Sequence, residues 1–217
     1  MLVIKTIPVT MYEQNARILI DNAQKEAVIV DPGGDIANIL NELPTDVRLK
    51  QIWITHSHID HVSGVGELLK SFGEDSIDVI AHPEDDFNRE NLAIQAQMMQ
   101  FPYSGGFSIT QPCNDGDVLT VGDYNFKVLY TPGHAVGHVS FFCDNDHNNF
   151  NTSVLIAGDA LFKGSIGRTD LPGGNHQQLL NSIQEKLFVL PANTIVCPGH
   201  GPNTAIEFEI KTNPFFT

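Results

Sequence analysis

The sequence predicts a layered α/β domain, with sheets covered on their outer faces by helices, and three observations carry that prediction. Short runs rich in Val, Ile and Leu alternate with runs of helical spacing. Gly and Pro punctuation falls between them, and chemically active residues gather where the apolar runs stop. At 217 residues the chain has room for one large domain or two small ones. No low-complexity linker divides it, so residues 1–217 are read as a single domain.

LVIKTIPV, ARILID and EAVIVD read as three opening strands of a meander, the last stopped at Pro32-Gly33-Gly34. Ile36, Ile39, Leu40 and Leu43 in DIANILNEL have helical spacing. KQIWIT is a buried strand, and Ser63 is placed to cap the next helix, VGELLKSF. DVIAH is another strand, ended by His82 before Pro83, and a helix is expected from Glu84 to about Gln100. GDVLTVG and YNFKVLYT form a hairpin about Gly122-Asp123. VSFFC and SVLIAGD are strands separated by DNDHNNFN, whose composition suggests an exposed loop holding His147. HQQLLNSIQEKLF is the clearest helix, opened at Asn175, and NTIVCPGH closes the set with a strand and turn. The runs Glu84-Asp85-Asp86 and Asp144-Asn145-Asp146 read as solvated surface. One coarse echo is visible: Pro-Gly-His occurs twice, ending at His134 and His200.

The 12 basic residues stand against 26 acidic ones, a formal charge of -14. That balance opposes binding to nucleic acid or anionic lipid, because phosphate recognition relies on a basic face. An anionic substrate therefore needs a local positive spot. Cys113, Cys143 and Cys197 cannot all pair within the chain and read as free thiols in a reducing compartment. The opening MLVIKTIPVTMYEQN lacks the pattern of a signal peptide, and no stretch approaches the roughly 18 apolar residues of a membrane span. A cytoplasmic location is expected.

The informative stretch is ITHSHIDHVSG, residues 54–64, in which His56, His58, Asp60 and His61 crowd together. In an extended segment His56 and His58 project to one side and can bind one cation through neutral nitrogens. Asp60 and His61, on the following turn, aim at a second position. Zinc-type ions take about four ligands each, so partners must come from elsewhere. His134 follows KVLYTPG, Asp159 follows VLIAG and His200 follows TIVCPG, each where a strand stops. Loops at one end of the strands of such a domain gather above one spot. The expectation is His56, His58 and His134 on one divalent ion, Asp60, His61 and His200 on the other, and Asp159 bridging both. Zinc is the first choice, although the same donors accept iron or manganese.

THSHIDH, the Pro-Gly-His at His134, GDALF around Asp159 and PGHG around His200 resemble, in order, the motifs of the metallo-β-lactamase-fold hydrolases. The resemblance spans about Ile7 to the C-terminus and implies a four-layer αβ/βα sandwich with metals at one edge. Asp31 in VIVDPGG matches an early motif whose aspartate supports a ligand from behind; a plain turn residue is the alternative reading. Asp159 stands where the family's lactamases typically carry Cys or Ser, which with the missing signal peptide argues against a lactamase. The acidic charge argues against the family's nucleases.

GDALFKGSIGRTDLPGGNHQQLLNSI and PGHGPNTAIEFEIKTNPFF look like the glyoxalase II group, hydroxyacylglutathione hydrolases, and specifically its compact bacterial type. The compact type lacks the long form's helical C-terminal domain, which holds glutathione, and no such domain is expected for this chain. The resemblance implies a small-molecule thioester substrate such as S-lactoylglutathione. Two cations sharing a water lower its pKa towards neutrality and supply a hydroxide, while a metal takes up charge on the carbonyl oxygen. Asp60 is then a ligand with a secondary part in orienting water or accepting a proton. Lys163 and Arg168 are candidates to meet a substrate carboxylate, with an Arg168–Asp170 pair as the competing reading. His138 reads as a buried or supporting residue, and Cys197 as strand packing. Two rivals stand beside this reading. One is an iron-dependent persulfide dioxygenase using His56, His134 and Asp159; the other is a non-catalytic metal-binding module.

Overall fold

The computed structural model describes residues 1–73, 76–144 and 152–217. β1 (Leu2–Val9), β2 (Gln14–Asp21) and β3 (Glu26–Val30) form the antiparallel meander. The chain then crosses through α1 (Ile36–Glu42) to β4 (Arg48–Trp53), parallel to β3. α2 (Ile59–Val62) and α3 (Val65–Phe72) lead to β5 (Asp78–Ala81), and after α4 (Asp86–Arg89) and α5 (Leu92–Met99) comes β6 (Gln111–Pro112). These strands make a six-stranded sheet in sequence order. The second sheet has the order β14-β13-β10-β9-β8-β7. It is built from β7 (Val118–Val121), β8 (Tyr124–Tyr130), β9 (Val139–Cys143), β10 (Val154–Gly158), β13 (Ile195–Pro198) and β14 (Thr204–Ala205). A small β11–β12 hairpin (Leu161–Phe162 and Ser165–Ile166) follows β10, α6 (His176–Ser182) precedes β13, and α7 (Ile206–Thr212) closes the chain.

Period-two alternation sorts the apolar residues into layers. Leu19, Val28, Val30 and Trp53 face Phe126, Val128, Phe141 and Ile156 of the other sheet. Ile18, Ile20, Ile29 and Ile52 face outward, under Ile36, Ile39, Val65 and Leu68 of the helices. Leu129, Leu155 and Val196 are covered by Leu179, Ile183, Leu187 and Ile206. The result is the expected four-layer αβ/βα sandwich. Because both faces of each sheet are covered, β2 and β10 are buried at every position; β10 is a continuous apolar run, whereas β2 also buries Gln14, Asn15, Arg17 and Asp21.

Three expectations need correction. Ser63 does not cap α3: the cap position is Gly64, and the Ser63 hydroxyl donates to the Gly33 carbonyl instead. The helix expected over 84–100 is broken into a 3-10 turn at Pro83–Asp85, α4 and α5. Asn91 ends the first piece because its side-chain amide donates to the Phe87 carbonyl, competing with the helix ladder. The Glu84-Asp85-Asp86 run is not all surface, since Asp85 is fully buried. The β11–β12 hairpin and α7 were not foreseen. Of the polar loop expected at 144–151, residues 145–151, with His147, lie outside the described residues.

Trp53 locks the two sheets together: it is fully buried, with ring centroids 5.3 Å from Phe126 and 5.1 Å from Phe141. Truncating a buried aromatic of this size leaves a cavity that neighbours fill only in part. Trp53→Ala should lower unfolding free energy by about 3–5 kcal/mol in urea titration, with Trp53→Phe losing less than half of that.

Candidate metal centre

β4 stops at Trp53, and residues 54–58 run outside regular structure, with a bend at Thr55, before α2 begins. His56 Nε2 lies 3.1 Å from His58 Nδ1, and His58 Nδ1 lies 2.9 Å from His134 Nε2. His134 Nε2 lies 3.2 Å from His56 Nε2, which closes a triangle of buried nitrogens. Hydrogen bonds at the far side of two of these rings, His56 and His134, fix their tautomers. Thr55 spends its hydroxyl proton on Asp31 Oδ2 at 2.6 Å, so His56 Nδ1 must donate to Thr55 Oγ1 at 3.1 Å. His134 Nδ1 donates to the Arg168 carbonyl at 2.7 Å. Two nitrogen lone pairs, His56 Nε2 and His134 Nε2, therefore face one another, which is repulsive unless a cation lies among them. The spacing is close to the roughly 3.3 Å between two nitrogens on a tetrahedral zinc-type ion.

Asp60, His61 and His200 make a second group. His61 Nδ1 donates to Asp31 Oδ2 at 3.0 Å, and His200 Nδ1 to the Tyr12 carbonyl at 3.0 Å. His200 Nε2 is then 3.2 Å from Asp60 Oδ2. Asp159 stands between the groups: Oδ1 is 3.3 Å from His61 Nε2, and Oδ2 is 3.6 Å from both His134 Nε2 and His200 Nε2. His61 Nε2 and Asp159 Oδ1 are buried without a hydrogen-bond partner. Buried polar atoms are rarely left so. A donor set of imidazole nitrogens and carboxylate oxygens, with lone pairs converging and orphaned, fits two divalent ions.

A family model for the metallo-beta-lactamase superfamily matches residues 14–200. The chain belongs to that superfamily. A hydroxyacylglutathione hydrolase (GloC) of Haemophilus influenzae is 36% identical over 98% of this chain and 97% of its own length. A probable metallo-hydrolase (YqgX) of Bacillus subtilis is 35% identical over 97% of this chain and 96% of its own. Among solved structures, the BLEG-1 B3 metallo-beta-lactamase superposes with a TM-score of 0.87 at 37% identity, covering 99% of this chain and 100% of that one. ETHE1 from Myxococcus xanthus gives a TM-score of 0.77 at 27% identity, covering 98% and 83%. A di-iron-bound form of TTHA1623 gives 0.82 at 31%, covering 97% and 99%.

In this superfamily chain the ligand candidates come from both sheets, at the ends of β4, β8, β10 and β13. The β13 turn is clamped from the opposite sheet. Asn15 donates to the Pro198 and Gly201 carbonyls at 3.1 and 2.9 Å, and the buried Arg17 donates to the Pro198 carbonyl at 2.7 Å. Gly199 has no substitute there, since a Cβ would lie 2.1 Å from Asp159 Oδ1.

Electrostatics divide the two groups. Burial, then neighbouring imidazoles, hold His56 well below the ordinary histidine range and His58 at about 3; burial also lowers His134. Neutral imidazole is the form a cation needs. Burial opposes charge on His61 too, but Asp159 and Asp60 outweigh it and hold His61 well above its ordinary value. In return, His61 holds Asp159 ionised against its own burial, well below the usual carboxylate range.

The supporting residues are partly foreseen. Asp31 binds Thr55 and His61 at once, from a left-handed backbone conformation with φ 49°. Arg168 forks its guanidinium onto Asp170, with two bonds of 2.7 Å, and both side chains are exposed. Its service to the site comes through its carbonyl. Lys163 is exposed, its Nζ 5.8 Å from the Phe208 ring centroid. A cavity of about 680 Å³ lies beyond the Gly34 turn, against Thr10, Asp35, Glu67 and Phe101, and is lined by none of the seven candidate ligands.

Asp85 is the residue that sequence reasoning missed. It accepts the Ser57 amide at 3.0 Å and the Ser57 hydroxyl, holding the residue between His56 and His58. An acidic run gives no sign that its middle member turns inward. Burial pushes the Asp85 carboxyl up to about 6. Its folded-state value is raised, so the stability it contributes is full below about pH 4 and is lost as pH rises through about 6. Asp85→Asn has no such loss. Between pH 4 and pH 8 the stability difference between wild type and this variant should move in the variant's favour by about 3 kcal/mol, read from paired urea titrations.

Proposed function

We propose that this chain is a metal-dependent thioester hydrolase of the glyoxalase II type, cleaving S-2-hydroxyacylglutathione substrates such as S-lactoylglutathione. The observation that carries the reading is the position of the Asp159 carboxylate between two convergent donor groups. The hydroxyacylglutathione hydrolase of H. influenzae, similar over nearly the whole chain, supports it. His56, His58 and His134 would hold one ion, Asp60, His61 and His200 the other, and Asp159 both. The ions, when bound, supply Lewis acidity and water activation at neutral pH; zinc is the first choice, with iron or manganese accepted by the same donors.

The chain's own residues do the rest. The Nδ1 bonds to Thr55, Asp31, Arg168 and Tyr12 keep four rings aimed inward, so little reorganisation accompanies the reaction. Asp60, less buried than Asp159, would orient the attacking water or take its proton. A thiolate leaves readily, since thiols have pKa values of about 8.5, so no strong acid is required. Lys163 offers a positive charge to a substrate carboxylate on an otherwise acidic protein. Three buried cysteines, none in a disulfide among the described residues, suit a reducing compartment, the cytoplasm, and the proposed activity would serve methylglyoxal detoxification.

A second reading, cleavage of a β-lactam amide, is favoured by the 37% identity to the BLEG-1 enzyme. Steady-state assays on S-lactoylglutathione, a chromogenic cephalosporin and glutathione persulfide (oxygen uptake) separate the readings. Thioester turnover should dominate, and Asp159→Asn should lower its kcat at least about a hundredfold with the circular dichroism unchanged. Dominant cephalosporin cleavage or oxygen uptake would overturn the proposal. Lys163→Ala should raise KM for an acidic thioester several-fold and leave a neutral thioester unaffected; equal effects remove Lys163 from substrate binding.

A further inference from the structure

β10 ends irregularly, and that irregularity places Asp159. Its pairing with β13 shifts register between Ile156 and Gly158, and the last pair sets Gly158 against Pro198, which has no N–H to donate. Gly158 then turns left-handed at φ 50°. A side chain there is barred twice over, since a Cβ would also lie 2.6 Å from His138 Nε2. β13 still holds the Gly158 carbonyl, which accepts the Gly199 amide at 2.8 Å, but gives no bond to the Asp159 amide, so the ladder stops one residue short of Asp159.

A side-chain network supplies what the ladder lacks. The Asp159 amide donates to His138 Nε2 at 3.0 Å. That bond requires an unprotonated Nε2, so the ring proton sits on Nδ1 and is donated to Thr131 Oγ1 at 2.9 Å. Thr131 Oγ1 passes its own proton to Ser140 Oγ at 3.0 Å, and Ser140 Oγ donates to the Ala157 carbonyl at 3.2 Å. The circuit closes on β10 itself, with one end on Ala157, the other on Asp159, and Gly158 between. His138, Thr131 and Ser140 are each wholly buried.

We infer that His138 is a positioning residue: through its Nε2 it holds the turn at Gly158 so that Asp159 reaches both groups of metal-ligand candidates, and Thr131 sets the tautomer that makes this possible. The inference rests on the ligand role proposed for Asp159, and it concerns metal binding rather than turnover. His138 lies at the head of β9, four residues after His134, and its ring centroid is 5.1 Å from that of His56. Its nitrogens face Thr131 and Asp159, not the cluster, which separates it from the ligand candidates.

The test is a competition titration of full-length protein with zinc against a chromogenic chelator, with cobalt spectra in parallel, on His138→Asn, His138→Gln and Thr131→Val. Asn keeps an atom near Nδ1 but none near Nε2, whereas Gln can place its carbonyl oxygen near Nε2. His138→Asn should weaken the more loosely bound ion about tenfold and alter the cobalt ligand-field bands. His138→Gln should stay within about threefold of wild type. Thr131→Val, remote from the ions and close in shape to the original, should shift affinity in the same direction as Asn by a smaller factor. If His138→Asn does not fold, Thr131→Val decides. Wild-type zinc affinity and cobalt bands in His138→Asn, or in Thr131→Val where that variant decides, would overturn the inference. Equal loss in the Asn and Gln variants would reduce His138 to packing and overturn it too. None of these readouts needs a substrate, so failure of the thioesterase assignment leaves the outcome readable.

Discussion

Lone pairs cannot face lone pairs in a buried place unless something positive stands between them, and this constraint governs the architecture. Each of His56, His61, His134 and His200 spends its Nδ1 proton on an oxygen behind it and turns Nε2 towards the same small volume. The Asp60 and Asp159 carboxylates enter that volume as well. Burying such a set costs several kcal/mol per charged group in the absence of compensation. Most of what the fold does at this edge is to hold the donors in place against that repulsion.

The two sheets divide the task. The first supplies the dense stretch after β4, fastened from behind by Asp31, Thr55 and Asp85. The second supplies His134, Asp159 and His200 from three strand ends, and β2 reaches across with Asn15 and Arg17 to fasten the last of them. The site thus spans the seam of the sandwich, and the Trp53–Phe126–Phe141 contact that keeps the sheets in register also keeps the two halves of the centre in register.

Much of this was legible in the sequence because period and spacing are local properties. The buried strands announce themselves as apolar runs, and His-x-His-x-Asp-His cannot be an accident of a surface loop. What was not legible depends on partners distant in the chain or on groups that every residue carries. The tautomers of His134 and His200 are set by backbone carbonyls of Arg168 and Tyr12, which leave no mark on composition. Asp85 sits in an acidic run that looks solvated, and only the packing of Gly137 and Ser57 around it turns it inward. Ser63 carries a capping side chain but spends it on Gly33, because tertiary contact outweighed local propensity. Arg168 could be read either as a substrate contact or as a partner of Asp170, and its guanidinium takes the nearer carboxylate.

Similarity both to a hydroxyacylglutathione hydrolase and to a B3 metallo-beta-lactamase shows that this scaffold alone does not choose a substrate. The paired-cation centre is the claim from which every assignment of chemistry descends. Anomalous diffraction from zinc-loaded crystals, collected at the metal edge, tests it most directly. The account predicts two peaks per chain, one among His56, His58 and His134 and one among Asp60, His61 and His200, with Asp159 touching both. A single peak, or peaks away from these residues, would contradict it.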